Sequence, residues 1–369
     1  MACLIHKAPE YMSAKQRVRN TFAFEKTDRV PIGYESNDAV HARLCKTLGI
    51  APNDRETLLA ALGVDMRGIG APYVGPSLFS APENRQVDPL EGFIMRWAQH
   101  ESGGYWDFCD YPLKDADEGL FANYPMPDPD LFDYEQALAH AASYDGKYAL
   151  HVGSPGMADI INSCGRLMSM EDILCHLILE REDVLDFIQR RSRWQLAMLE
   201  RLIDKCKDHL DFVWIGEDLG TQNSQMVSLD LYQKLLKPVH AQFTALARAY
   251  NLPVLVHSCG YASWAYEDFI DIGVSGVDTL QPEAANMSPG YLVKQFGGRL
   301  NFRGCISTAG PLAYGAAREV TAICRQTLEI MMPTRGYHFA PTHQIQDNTP
   351  EENVIAMYQA AHDFGRYDG

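Results

Sequence analysis

Along most of the chain, short apolar runs alternate with longer stretches in which apolar positions recur every three or four residues. Residues 11–25 have the helical spacing, with Arg and Lys interspersed, and lead through Thr27, Asp28 and Arg29 into the β-rich run 30–34. This pattern predicts a capping helix that feeds a first strand. Residues 55–62 predict a second helix, with Asn53 or Asp54 as its cap, and 64–69 a second strand. The rhythm then breaks. Residues 93–97 and 105–111 read as short aromatic strands, and Pro125, Pro127 and Pro129 exclude a helix or central strand where they stand. We assign about 71–130 to an insertion within a single domain spanning 1–369, not to a second domain.

After a predicted helix over 134–142 the alternation becomes regular, with strands over 148–152, 212–215, 253–256, 277–280, 300–303 and 337–340. Each ends in Gly or polar residues. With the two earlier runs these make eight strands, parallel because a helix crosses between each consecutive pair. The expected fold class is therefore α/β: a (β/α)8 TIM barrel with an N-terminal helical extension and an insertion over its mouth. No Gly-x-Gly-x-x-Gly or Walker sequence opens a helix, which weighs against an open nucleotide-binding sheet.

Composition narrows the partners. A formal net charge of −16 argues against nucleic acid and anionic membrane surfaces. No apolar run approaches the roughly 18 residues of a membrane helix, and residues 1–10 hold too short an apolar stretch for a signal peptide, so a cytoplasmic location is expected. Nine cysteines without a regular framework read mostly as small buried apolar side chains.

In a barrel of this kind, side chains at the C-terminal strand ends converge on one pocket. Those ends carry Glu217, Asp218, His257, Cys259, Glu283, Cys305 and His343. An isolated His-x-Cys is usually a hydrogen-bonded core histidine beside an inert thiol. Here the pair stands at a polar strand end with Gly260 behind it, so both side chains point the same way and the backbone then turns off. Imidazole plus sulfur suits Zn2+. His343 and Cys305 are the candidates for a third ligand. We favour His343, with Glu217 as a further oxygen ligand. Ser228 reads as a helix N-cap, and Asn162 and Arg166 fit either substrate contact or loop geometry. The aromatic residues Trp97, Tyr105, Trp106 and Phe108 of the insertion read as packing before a substrate box.

RVRNTFAFEKTDRVPIGY at 17–34 and GEDLGTQNSQMVSLDLYQKLLKP at 216–238 resemble the uroporphyrinogen decarboxylase superfamily. The resemblance continues through HSCG at 257–260, FRGCIS at 302–307 and APTHQIQDNTPEENV at 340–354. Decarboxylases of the family carry a Met-Arg-Gln-Ala-Gly-Arg loop after the first strand, where this chain has Glu35-Ser36-Asn37-Asp38, the wrong charge for a substrate bearing many carboxylates. The chain is more similar to the zinc-dependent methyltransferases that work with corrinoid proteins, in which His-x-Cys and a later Cys hold the metal. YPMPDP at 124–129 also looks like segments of methoxyaromatic and related members.

At the last strand, thiol-methylating members read Ser-Pro-Gly-Cys and this chain reads Ala340-Pro341-Thr342-His343. Imidazole in place of thiolate leaves a harder zinc, suited to oxygen. The resemblance thus implies methyl transfer from a methoxylated or similar small molecule to the cob(I)alamin of a corrinoid protein, with Glu217, Asp218, Asn223 or Glu283 orienting the donor. The expected cofactors are Zn2+ and the partner's corrinoid, and the expected partners are the corrinoid protein and the methyl donor, with a homodimer left open. The alternatives are methyl transfer from a corrinoid to a thiol such as coenzyme M, a metal-free decarboxylase, or a corrinoid- or tetrapyrrole-binding protein without turnover.

Overall fold

In the computed structural model, which describes residues 5–367 apart from 53, 102 and 145, the strands are β1 (Met66–Gly68), β2 (Gln86–Val87), β3 (Ile94–His100), β4 (Gly103–Phe108), β5 (Ala149–Gly153), β6 (Phe212–Gly216), β7 (Val254–His257), β8 (Gly276–Leu280), β9 (Asn301–Ile306) and β10 (Tyr337–Pro341). Seven of them form one sheet in the order β1-β5-β6-β7-β8-β9-β10, and every pairing in it is parallel. The sheet curls so that its two edges meet across residues 30–34. Gly33 N donates to Phe339 O (2.8 Å) and Phe339 N to Pro31 O (2.8 Å) on one side, while Asp65 N donates to Ile32 O (2.9 Å) on the other. The predicted first strand therefore takes the eighth place as a bridged segment, not a regular strand. Pro31 has no N–H to give, and Ile32 N is spent on the Asp65 carboxylate (2.7 Å). The TIM-barrel reading of the sequence is borne out.

The N-terminal helix Ala14–Phe22 starts where the Ser13 side chain accepts from Gln16 N. Its Val18 is buried with Ala149, Phe212 and Leu255, and Phe22 packs beside them, so the helix plugs the N-terminal end of the cylinder. Arg17 and Arg29 lie fully inside the protein. Arg17 donates to Asp28 (2.6 Å) and Asp65 (2.5 Å), and Arg29 donates to Asp65 (2.7 Å) and Glu10 (2.9 Å). Helix Arg55–Leu62 matches its predicted span, with Asp54 accepting from Thr57 N as the cap. Asn53, the other proposed cap, lies outside the described residues.

The stretch assigned to an insertion begins and ends beside an antiparallel bridge between Tyr73 and Phe132. It holds the antiparallel sheet β2-β3-β4 and the helix Glu118–Asn123. The β3–β4 hairpin reaches across the mouth: Phe108 near its base lies against the Arg166 guanidinium (4.6 Å), and His100 at its tip approaches Asp347 (3.8 Å). Trp97 and Trp106 pack edge to face at 5.6 Å, yet both are exposed, as is Tyr105. Tyr105 lies against His100, ring centroids 6.0 Å apart.

Asp65 is the shared partner of two buried cations, and removing it leaves Arg17 to Asp28 alone and Arg29 to the partly exposed Glu10. Asp65→Ala is expected to cost about 3–5 kcal/mol, read as a lower urea midpoint at unchanged slope. Burial pushes the Asp28 carboxyl up, but the Arg17 hydrogen bond and charge outweigh this and hold it at about 2. A depressed folded-state value means that the contribution of Asp28 is complete above about pH 4 and is lost as the pH falls towards about 2. Asp28→Asn should accordingly destabilise the protein strongly at pH 7 and much less at about pH 2.5, measured by thermal melts at both.

Candidate metal centre and active site

His257 is the last residue of β7, paired in register with Gly216 and Asp278. Its Nδ1 faces Asp278 Oδ2 (3.1 Å) and Thr279 Oγ1 (2.6 Å). The other Asp278 oxygen accepts from Arg303 (2.5 Å), which also pairs with Glu35 (2.6 Å) and lies over the Trp214 ring (4.8 Å). With Nδ1 engaged, Nε2 is left to look out at Cys259 Sγ, 3.5 Å away. Directly after Cys259, Gly260 adopts φ +68°, and a Cβ there would stand 2.4 Å from Gly220 O. Only glycine makes that turn without a clash.

His343, two residues beyond β10, presents its ring edge-on to His257 at 5.8 Å. One ligand atom each from His257, Cys259 and His343 lies within 4.8 Å of the others. Around a tetrahedral zinc, with Zn–N near 2.0 Å and Zn–S near 2.3 Å, neighbouring nitrogen and sulfur ligands stand about 3.5 Å apart. The 3.5 Å between Cys259 and His257 is that edge. A carboxylate behind the ligating imidazole, as Asp278 is, fixes ring orientation and tautomer. The donor set therefore fits zinc.

The three groups are shifted in different directions by their surroundings. Burial lowers the His257 proton affinity, but the bonds to Asp278 and Cys259 overcome it and leave the imidazole well above its usual range. Burial pushes the Cys259 thiol up to about 11 against the His257 contact that lowers it. Burial, together with the charge of His257, lowers His343. Strain accompanies the geometry: Thr279 is β-branched and sits at φ +65°, beside a register shift in β8.

Asp218 joins the end of β6 to the loop after β7. Its Oδ1 accepts from Cys259 N (2.7 Å) and its Oδ2 from Asn162 (2.7 Å). With Asn162, Arg166, His257 and His343 it lines a cavity of about 280 Å³, which Glu35 and Asp159 also border. Four expectations are corrected. Glu217 is buried with its oxygens on Ile160 N (2.9 Å) and Ile161 N (3.0 Å) and against His240 (3.2 Å), so it caps the helix Ile161–Met168 and stands outside the ligand cluster. Adjacent residues of an extended chain point to opposite sides, and Asp218 has the cavity side. Cys305 is buried among apolar residues, with its thiol pushed up by burial, and does not join the cluster. Asn223 is exposed in the turn 221–224, its N–H given to Thr221 Oγ1. Glu283 is exposed and accepts from Ser307 (2.9 Å). Ser228 does cap its helix.

Residues not singled out from the sequence are Asp278, Arg303 and Asp159. The first two had a signal: an acid inside the strand GVDTL and a cation inside NFRGCI, charges where only a paired arrangement is tolerable.

A family model described as uroporphyrinogen decarboxylase (URO-D) matches residues 162–364, more than half of the chain. The protein belongs to the URO-D family. Its fold is also similar to that of a methyltransferase from Methanosarcina mazei, with a TM-score of 0.63 over 96% of this chain and 99% of that one, at 17% identity. At that identity the likeness establishes the shared fold. No curated protein matches the chain by sequence. Within this URO-D fold, β7, its following loop and the segment after β10 supply the cluster.

His257→Ala, Cys259→Ala and His343→Ala are each expected to lower zinc content well below one ion per chain, by elemental analysis after dialysis, without unfolding the barrel. Cys305→Ala and Glu217→Gln should keep it. Loss of zinc in Cys305→Ala with retention in His343→Ala would reverse the ligand assignment.

Proposed function

We propose that the chain is a zinc-dependent methyltransferase that moves a methyl group from an oxygen of a small molecule to the cob(I)alamin of a corrinoid protein. The observation that carries this reading is the two-imidazole, one-sulfur donor set of His257, Cys259 and His343, whose two imidazoles line a cavity at the barrel mouth. Zinc held there would act as a Lewis acid on the donor oxygen and make it a better leaving group. A set with one sulfur is harder than the sulfur-rich sets that suit thiols, which favours an oxygen substrate. The structural likeness to a protein named as a methyltransferase supports the same reaction class.

The cavity argues for the size and charge of the donor. About 280 Å³ accommodates a small molecule, and the carboxylates of Glu35 and Asp218 outnumber the guanidinium of Arg166 along its wall. A polycarboxylate would meet repulsion there. Asp218 and Asn162, locked to each other, would orient the donor, and the β3–β4 hairpin would shield it until the corrinoid protein docks through a small transient interface. No helix of the described residues is long and apolar enough to cross a membrane, in keeping with a cytoplasmic enzyme.

The test combines metal and turnover. The purified protein should carry about one zinc per chain and transfer methyl from a methoxylated aromatic compound to cob(I)alamin, with chelation abolishing the transfer. Undiminished activity after exhaustive chelation would overturn the zinc reading in favour of a metal-free reaction. Thiol methylation is the rival, and zinc-edge spectroscopy separates the two: a new Zn–S bond on adding coenzyme M supports the rival, and an unchanged edge supports oxygen chemistry.

A further inference from the structure

The helix Ile161–Met168 turns one face to the candidate active site. Asp159 just before it and Asn162 and Arg166 within it follow at spacings of three and four residues, so they share that face, and all three border the cavity of about 280 Å³ that His257 and His343 line. Two of the three are engaged. Asp159 accepts from Ser163 N (2.7 Å) and Oγ (2.6 Å) and is bonded to Glu217, and Asn162 donates to Asp218 (2.7 Å). Arg166 differs. It is half-buried, and among the described residues no hydrogen bond or ion pair holds its guanidinium; Asp159 acts on it only through space.

The guanidinium lies over aromatic rings instead, 4.6 Å from the centre of Phe108 and 5.7 Å from that of Phe93. Those two rings meet edge to face at 6.0 Å. Phe93 stands directly before β3 and Phe108 ends β4, so the insertion supplies the seat. A ring face attracts a cation but leaves the five N–H donors of a guanidinium without acceptors. The other acids of the wall are engaged as well: Glu35 pairs with Arg303 (2.6 Å), and Asp218 accepts from Cys259 N (2.7 Å) besides Asn162. The wall therefore has one unengaged charge to present to a ligand, and it is positive. A planar fork braced against a ring matches a planar carboxylate through two parallel N–H···O bonds. One such group fits beside Arg166, whereas several would meet Glu35 and Asp218.

We propose that the methyl donor carries a single carboxylate, which Arg166 grips while the methyl-bearing oxygen is turned to the candidate metal ligands. This inference rests on the reading of the site as one that demethylates an oxygen. Arg166 and the imidazoles of His257 and His343 stand on one small cavity, so a donor filling it is in reach of both. The helix that carries Arg166 is held by Asp218 on Asn162 and by Glu217 on Ile161 N, and the guanidinium is held by Phe93 and Phe108. The grip is thus in place before the donor arrives, and it decides which end of the donor faces the metal ligands.

The test compares the ortho, meta and para methoxybenzoates with the matching methoxybenzamides, which have the same shape and no charge, as methyl donors to cob(I)alamin. Methoxyacetate and its amide extend the comparison to an aliphatic donor. Wild type should prefer its best acid over the matching amide by about tenfold to a hundredfold in kcat/KM, chiefly through KM, as a two-point charged hydrogen bond implies. In Arg166→Gln that ratio should fall to near one, and Arg166→Lys, which keeps the charge without the fork, should restore part of it. A second measurement needs no turnover: in calorimetry the demethylated hydroxybenzoate should bind wild type more tightly than the hydroxybenzamide does, and Arg166→Gln should not distinguish them, at equal zinc content and melting temperature. A wild type without preference for the acid, or a preference that survives in Arg166→Gln, overturns this inference and leaves the demethylation reading intact. Tighter binding of ethanesulfonate than of any hydroxybenzoate assigns Arg166 to the anion of a thiol substrate and overturns it too. A zinc-loaded wild type that takes methyl from none of these ethers overturns the demethylation reading, and this inference with it.

Discussion

Closure of the cylinder rests on one buried carboxylate. The segment 30–34 must join both edges of a seven-stranded sheet, yet Pro31 cannot donate and the ladder on the β1 side is reduced to Asp65 N on Ile32 O. Asp65 makes up the deficit with its side chain, accepting from Ile32 N, Arg17 and Arg29. Charge-assisted bonds of this sort are worth more than the neutral ladder bonds they replace. They also tie the plugging helix Ala14–Phe22 to the seam, since Arg17 belongs to that helix. Without the seam the strand ends would not converge, and convergence is the whole basis of the site.

The seam reaches the metal candidates through a second run of charges. Glu35 follows directly on the closing segment and pairs with Arg303, which holds Asp278, which in turn holds His257 Nδ1. Arg303 is balanced by two carboxylates, so its guanidinium sits inside the barrel without a large desolvation cost. The same chain sets the imidazole tautomer: an acceptor at Nδ1 calls for the proton there, and Nε2 is the nitrogen that would face a metal. Asp278 is thus a structural counter-ion and a positioning residue at once, which explains why a charge is tolerated in the middle of a strand that is otherwise buried on both faces.

The sequence made legible what depends on periodicity and strand-end position. Alternation located the barrel strands, and the ends of β7 and β10 yielded His257, Cys259 and His343. What escaped depends on torsion angles. Glu217 and Asp218 look equivalent on paper, yet one faces the cavity and the other the back of the strand. Cys305 stands at a strand end like His343, but Gly304 at φ +118° and Cys305 at φ +67° carry the thiol into the core. The first strand was recognisable by its apolar run, while its bridged character followed from Pro31 and the Asp65 side chain, a contact across more than thirty residues. Asp159 escaped because it meets Glu217 only in the folded chain, a contact that no one-dimensional pattern records.

The two acids at the end of β6 show how a family scaffold is held to the tolerance that chemistry needs. Glu217 ties the first backbone N–H groups of the helix Ile161–Met168, an end whose own cap residue, Ile160, offers no side-chain acceptor. Asp218 bonds Asn162 on that helix and Cys259 N in the loop after β7. A single dipeptide therefore locks the β5 loop, with Asp159, to the β7 loop, with its candidate ligands. Because each contact is a carboxylate accepting from N–H, each contributes about 1.5–3 kcal/mol, enough to fix side chains that loops alone would leave free to wander by an ångström. Reactive groups on two loops then behave as though mounted on one rigid element, and the cavity between them keeps its shape before any donor arrives.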